Sequence, residues 1–408
     1  MSSSRWYGDD RLHYGVGIED TFIPHERVGH RKLDEYELTQ HYSHWEEDLD
    51  LVAASGAEFL RWGIPWYLVE PAPGQFDWSW IDRVAERMHE LGLRCIVDLM
   101  HYGTPLWLEN SFLNAEYPER VASYARAVAE RYQAVWSDFT PLNEPVVNAE
   151  WCGQNAAWPP YLEGQDGFVK VIMQLGRGMV RTQQEIAAVH PDPTFVHVDA
   201  GFLFEGETSP LSRGLLEERR FVALDLITGR VDADSPITGW LTANGVTDAE
   251  LQWFRDNAVT PDVVGVNYYP RFSKARIRDG VVDPVRADAA GLRELVEAYS
   301  ARYQRPMAIT ESSLVGTPEE KIEWLQQSAA ELAALRSEGH EIVAFTWFPF
   351  FTLVDWLYRF DSQSPDAWFR EFGLVDLVRG ADQSLDRVRN ASFDVFLELA
   401  REGRADDQ

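Results

Sequence analysis

The sequence predicts a (β/α)8 barrel, and three observations carry that prediction. Eight short apolar runs each give way to a helix-like stretch, from one end of the chain to the other. The runs read as continuous rather than alternating, as do strands of a parallel sheet covered on both faces. The length beyond a minimal barrel falls in segments that follow strands, the face on which such barrels carry their sites.

The elements follow in order. Strands are expected at Leu12–Ile18, Glu58–Gly63, Arg94–Met100, Val135–Pro141, Thr194–Ala200, Val263–Tyr268, Met307–Glu311 and Ile342–Trp347. The fourth is rich in aromatic and β-branched residues and stops at Pro141 and Pro145, which lack a backbone donor. Amphipathic segments lie at 39–55, 78–91, 118–134, 167–189, 211–229 with 248–257, 289–303 and 318–337, and a last helix at 384–401. The stretch Thr317-Pro318-Glu319-Glu320 supplies a cap residue, a first-turn proline and early acids. Long loops are expected at 19–37, 101–117, 144–165, 201–210, 269–288 and 348–383. The rival is an open doubly wound sheet, but "GVGIED" at Gly15 lacks the third glycine and the helix start of a phosphate turn. No linker or low-complexity segment divides the chain, so residues 1–402 are read as one catalytic barrel domain and 403–408 as a disordered tail.

The chain has 408 residues, 45% hydrophobic and 25% charged, a balance that suits a globular protein with a large core. Its formal charge of −29 repels phosphate backbones and anionic lipid, so neither nucleic acid nor membrane is an expected partner. Of the two cysteines, Cys95 lies in an apolar run and Cys152 in a loop, which suggests neither a disulfide framework nor a zinc site. The first residues have no apolar signal segment and no stretch reaches membrane-spanning length, so a cytoplasmic location is expected. A monomer and a homo-oligomer fit the sequence equally.

Polar and aromatic groups gather where the strands stop: Arg61 on the second, His101 after the third, and Asn143-Glu144 after the fourth. Asn267-Tyr268-Tyr269 end the sixth, Glu311 the seventh and Trp347 the eighth. A closed barrel brings Glu144 and Glu311 to one mouth. Two carboxyl groups flanking a bond are what acetal hydrolysis requires, one protonated to assist the leaving group and one ionised to attack. Arg61 and Tyr269 would hold Glu311 ionised, while burial and the charge of Glu311 would keep Glu144 protonated. Taken singly, each of these residues reads equally well as a surface charge or a packing group. No HExxH or Cys/His cluster, no G-x-S-x-G elbow and no P-loop is present, so no metal or other cofactor is expected.

Six motifs then occur in one order. "TPLNEP" at 140–145 resembles the acid/base motif of glycoside hydrolase family 1, and "AITES" its nucleophile motif. "HYGTPLWL" at 101–108 resembles its sugar-binding His segment, "FLRWGIPWYLVEPAPGQFDW" from Phe59 its Arg-bearing second strand, and "GVNYY" at 265–269 its sixth. "FTWFPFFTLVDW" followed by "EFGLVDL" is similar to its C-terminal signature. The resemblance, to a compact and divergent member, implies a retaining β-glycosidase on a small β-linked glycoside or disaccharide. Glu144 would then be acid/base and Glu311 nucleophile, with carboxyl groups about 5–5.5 Å apart. It further implies that Asn143 meets the sugar 2-hydroxyl, that His101 binds a hydroxyl and that Trp347 floors the subsite. Asn267, Arg61 and Tyr269 would complete the substrate pocket.

Two departures bear on the sugar. Where the family has a Gln after its first strand this chain offers Glu19 and Asp20, and where the family has Glu-Trp in the eighth loop it has Asp355-Trp356, one residue later. Glu19, Asp355 and Trp356 are therefore the expected readers of the hydroxyls farthest from the scissile bond. Trp66, Trp107, Trp151, Trp158 and Trp356 are candidate stacking platforms. The family's phospho-sugar branch uses a Ser…Lys…Tyr set, and this chain has Ser362 and Arg370 without the matching Lys or Tyr, so a 6-phosphate is not expected. Transglycosylation by the same two glutamates, or sugar binding without catalysis, are the alternatives.

Overall fold

Eight parallel strands close on themselves in the computed structural model, which describes residues 5–24, 27–206, 210–278 and 281–405. The strands are β1 (His13–Gly17), β2 (Phe59–Gly63), β3 (Arg94–Asp98), β4 (Asp138–Thr140), β5 (Thr194–Ala200), β6 (Val263–Asn267), β7 (Met307–Ser312) and β8 (Ile342–Trp347). Each pairs with its sequence neighbour, and β1 closes the barrel on β8, with His13 opposite Ala344 and Val16 opposite Trp347. The predicted (β/α)8 barrel is the observed fold.

The connecting helices begin and end where local chemistry dictates. Thr317 and Thr247 form reciprocal capping boxes with Glu320 and Glu250, which satisfies first-turn amides of helices Pro318–Ser337 and Asp248–Asp256. Helix Ser79–Leu91 stops at Gly92, whose φ of 65° is the left-handed conformation that glycine adopts without steric cost.

The barrel interior is layered. At its base Phe59, Ile96, Val196, Val198, Val263, Ala308 and Val343 pack together, and Trp6 joins them from below. The Trp6 indole donates to Asp138 Oδ1 at 2.8 Å, and Arg94 bonds the other oxygen of that carboxylate at 3.0 Å. This apolar layer leaves the upper interior to polar side chains. The larger core lies between the strands and the surrounding helices.

Several expected boundaries move. The fourth strand is only Asp138–Thr140, because Val135 and Trp136 finish the turn leaving helix Tyr117–Arg131, each donating its amide to Tyr132 O. Trp136 is buried in that turn, so its apolar character reflects packing rather than sheet pairing. Residues 385–389, read as helix, pair instead as a hairpin with Val375–Arg379, and the last helix runs Ala391–Ala405. Of the tail 403–408, residues 403–405 thus continue this helix and 406–408 lie outside the described residues. Short strands Leu203–Glu205, Lys274–Arg278 and Val281–Pro284 form a small sheet from the loops after β5 and β6. Cys152 sits in a buried helical turn rather than an open loop and donates to Asn148 Oδ1 at 3.0 Å. Among the described residues no helix is long and apolar enough to cross a membrane.

Candidate active site

The upper interior is organised around Arg61. Inward-facing on β2, it donates to Glu311 Oε1 at 2.7 Å, Asp98 Oδ2 at 3.0 Å, Asn143 Oδ1 at 2.9 Å and Thr310 O at 3.1 Å. One rigid, permanently charged fork therefore ties together β2, β3, β7 and the loop after β4. The guanidinium is almost fully buried, with both terminal nitrogens answered by these acceptors and Nε without a hydrogen-bond partner among the described residues.

Glu311 stands where the register of β7 shifts against both neighbours. Such an irregularity bends the strand and re-aims a side chain. Its Oε2 accepts from the Tyr269 hydroxyl at 2.6 Å, so both carboxylate oxygens are held by donors.

Glu144 has a left-handed backbone, with φ 43° and ψ 64°, an uncommon conformation for a residue with a side chain. It is fixed on both sides, by Glu144 N to Val198 O at 3.1 Å and Asn148 N to Glu144 O at 2.9 Å. Pro145 then opens the short helix Pro145–Ala149. The twist turns the carboxyl into the mouth, where Asn267 donates to Oε1 at 2.8 Å and Tyr102 to Oε2 at 2.5 Å. Burial, and then the charge of Glu311, push the Glu144 pKa up to about 7, although both hydrogen bonds work in the opposite direction.

Asn143 connects the two halves. Arg61 holds its carbonyl oxygen, so its amide faces Nε2 of His101 and the Tyr102 hydroxyl, each at 2.9 Å. His101 sets Nε2 beside that amide and places Nδ1 2.7 Å from Asp20 Oδ1 and 3.3 Å from Asp98 Oδ2. Burial, partly offset by the His101 charge, raises the Asp20 pKa to about 7. The donor atoms of Asp20, Asp98 and His101 lie within 4.8 Å of one another. Arg61 already supplies a cation to Asp98, so the group reads as an ion-pair network rather than a metal cage.

The far side of the mouth is acidic. Glu19 accepts from Thr21 Oγ1 at 2.5 Å and Thr21 N at 3.2 Å, and its Oε1 lies 4.0 Å from His101 Nε2. Glu35 is fully buried, accepts from Val354 N at 3.3 Å through one oxygen and leaves the other without a partner. Burial, and then the charge of Glu19, push its pKa well up.

Three of the expected site residues need correction. Trp347 points into the core around the barrel and donates its indole N–H to Phe372 O at 3.2 Å. Its neighbour Phe348 lies in the mouth instead, with the Arg61 guanidinium 5.3 Å from its ring centre and the His101 ring stacked at 6.3 Å. Gly17 makes room for that ring, since a Cβ there would collide with it. Side chains alternate along a strand, so the one-residue offset exchanges the core face for the site face. Asp355 turns to Arg370 at 3.0 Å and caps Leu357 N, and Glu35, from the loop after β1, reaches the Val354 backbone in its stead. Asn267 holds Glu144 and accepts from Thr310 Oγ1 at 2.7 Å, so it orients the acid rather than projecting freely into the pocket.

Trp356 is half-buried and packs edge-on to Tyr102, Trp151 and Trp158, at 5.1–5.5 Å between ring centres. Trp158 is wholly buried in that layer, leaving Trp151 and Trp356 as its partly exposed faces. Trp66 and Trp107 donate to Glu70 instead, one to its side chain and one to its backbone. Glu35, Asp98, Tyr102 and Phe348 were missed from the sequence. Tyr102 lay inside the quoted "HYGTPLWL", and the alternation along β8 would have separated Phe348 from Trp347.

Known proteins similar to this chain are glycosidases. A family model described as beta-galactosidase, of glycosyl hydrolase group 42, matches residues 36–135. A 6-phospho-beta-glucosidase of Clostridium longisporum is 22% identical over 88% of this chain and 85% of its own length. A beta-galactosidase of an Arthrobacter species is 40% identical over 31% of this chain and 22% of its own. The family 1 beta-glucosidase of Thermotoga maritima superposes with a TM-score of 0.82 at 17% identity, covering 97% of this chain and 98% of that one. With two buried glutamates in one barrel mouth and glycosidase relatives aligned along most of its length, the chain is a glycoside hydrolase that shares the barrel fold of the family 1 beta-glucosidase.

Proposed function

We propose that the protein is a retaining β-glycosidase acting on a small, unphosphorylated β-linked glycoside. The observation that carries this reading is the unlike treatment of two carboxyl groups in one site. Glu311 has both oxygens held by donors, Arg61 and Tyr269, which fixes its carboxyl group for attack as a nucleophile. Burial and that neighbouring charge keep Glu144 protonated up to about pH 7, which suits a general acid.

In the first step Glu311 attacks the anomeric carbon as Glu144 gives its proton to the departing oxygen. In the second, Glu144, now a carboxylate, takes a proton from water as that water displaces Glu311. Asn143, fixed by Arg61, is positioned to meet the 2-hydroxyl, Phe348 gives the ring an apolar floor, and His101 offers a polar contact beside it. The far hydroxyls would meet Glu19, beside His101, and Glu35, whose free oxygen is left to accept a hydroxyl. Arg370, the one cation of the expected phospho-sugar stretch, is engaged by Asp355.

The test is trapping with 2-deoxy-2-fluoro aryl β-glycosides, with and without a 6-phosphate. A glycosyl adduct on the peptide carrying Glu311, from the unphosphorylated reagent alone, is the expected result. An adduct elsewhere, or turnover with inversion at the anomeric carbon, removes the retaining assignment. Labelling by the 6-phosphate reagent alone removes the substrate assignment.

A further inference from the structure

Glu144 is held by two donors of different character. Asn267 Nδ2 meets Oε1 from β6, and the hydroxyl of Tyr102, 1% exposed, meets Oε2 at 2.5 Å from the loop after β3. The phenol is itself held. Asn143 Nδ2 donates to its oxygen at 2.9 Å, and Arg61 fixes the other end of that amide. Because Asn143 occupies the oxygen from one side, the phenol proton is directed at Glu144. The ring is clamped between His101, at 4.5 Å, and Trp158, at 5.1 Å, so the hydroxyl cannot swing away without repacking the mouth.

We propose that Tyr102 is a positioning residue that sets the proton affinity of Glu144, completing a relay Arg61–Asn143–Tyr102–Glu144. This rests on the retaining glycosidase reading. When Glu144 gives up its proton to the leaving group, a carboxylate forms in a buried site already charged by Glu311, and the Tyr102 O–H is the donor aimed at Oε2. It stabilises that anion by a charge-assisted bond. It also fixes which oxygen is bonded within the relay, leaving proton delivery to the geometry Asn267 and Tyr102 define together. The charged and titratable groups facing Glu144 are Glu311 from β7, Tyr269 after β6, Asp199 from β5 and His101 beside Tyr102. Glu311 opposes its ionisation and His101 favours it, so removal of Tyr102 leaves the charge of Glu311 less opposed.

The test is Tyr102→Phe, which preserves the ring packing. Two readouts are taken: the pH profile of kcat/KM on an aryl glycoside with a poor leaving group, and a 13C titration of labelled glutamate carboxyls with Glu144 assigned by Glu144→Gln. Loss of the donor is expected to move the basic limb and the Glu144 titration up by about one pH unit. It is expected to slow the poor leaving group at least tenfold, while a dinitrophenyl glycoside, which needs no proton, keeps its rate. A limb and titration that stay in place, or equal losses on both leaving groups, overturn the proposal. The titration reads Glu144 even if no glycoside is turned over, so failure of the glycosidase reading is seen separately. Should the variant not fold, incorporation of 3-fluorotyrosine makes the phenol a stronger donor and must move the Glu144 titration down; an unmoved value overturns the proposal equally.

Discussion

Arg61 and Glu311 form an ion pair at 2.7 Å with both side chains almost wholly shielded from solvent. The Arg61 fork also holds Asp98 and Asn143. Arg61→Met would leave two buried acids without their cation, which costs about 3–5 kcal/mol. Thermal or urea unfolding should report that loss, and Arg61→Lys should recover only part of it, because an ammonium cannot reproduce the planar fork.

The Glu144 carboxyl predicts how rate depends on pH. Its pKa is raised to about 7 by burial and by Glu311, and the acid works only while protonated. The kcat/KM of a substrate with a poor leaving group should therefore fall as pH rises through about 7, approaching tenfold per unit above it. The descending limb should vanish in Glu144→Gln assayed with an activated leaving group.

The same shift predicts stability. Between the ordinary carboxyl value and about 7 the folded chain keeps a proton that the unfolded chain has released, so this group lowers stability as pH rises through that window. Glu144→Gln keeps an amide in place of the carboxyl and removes the titration. Its stability relative to the parent should rise by about 1–3 kcal/mol between pH 5 and 8, measured by urea unfolding at each pH.

The exchange of Trp347 for Phe348 separates packing from binding. Phe348→Ala removes the ring beside Arg61 and His101 and should lower kcat/KM about 100-fold. Trp347→Phe deletes the bond to Phe372 O within the core and should lower the melting temperature while leaving kcat/KM within about threefold of the parent.

At the opposite end of the barrel, Trp6→Ala opens the layer that Phe59, Ile96 and Val343 share with it and removes the indole donor to Asp138 Oδ1, leaving Arg94 on the other oxygen. A loss of about 3–5 kcal/mol is expected in chemical unfolding, with kcat unchanged at temperatures where the variant is folded.

Much of this molecule follows from sequence alone. The alternation of apolar runs with amphipathic stretches dictates a parallel barrel, because strands covered on both faces need helices on the outside and small or apolar side chains within. Residues at strand ends must then meet at one rim, so Arg61, Glu144, Tyr269 and Glu311 could be brought together before any coordinate was known. Tertiary structure decided what depends on direction rather than position. Whether Trp347 or Phe348 enters the mouth turns on a single step of strand alternation. That Glu35 reaches the Val354 backbone while Asp355 turns to Arg370 depends on how two loops far apart in the chain fold over each other. The short fourth strand and the hairpin at 385–389 were hidden because apolar residues in a buried turn, or polar ones on an edge hairpin, carry the wrong local signal. Periodicity is a property of neighbours along the chain, and it sets the scaffold. The partners of a buried charge are chosen by closure of the whole barrel.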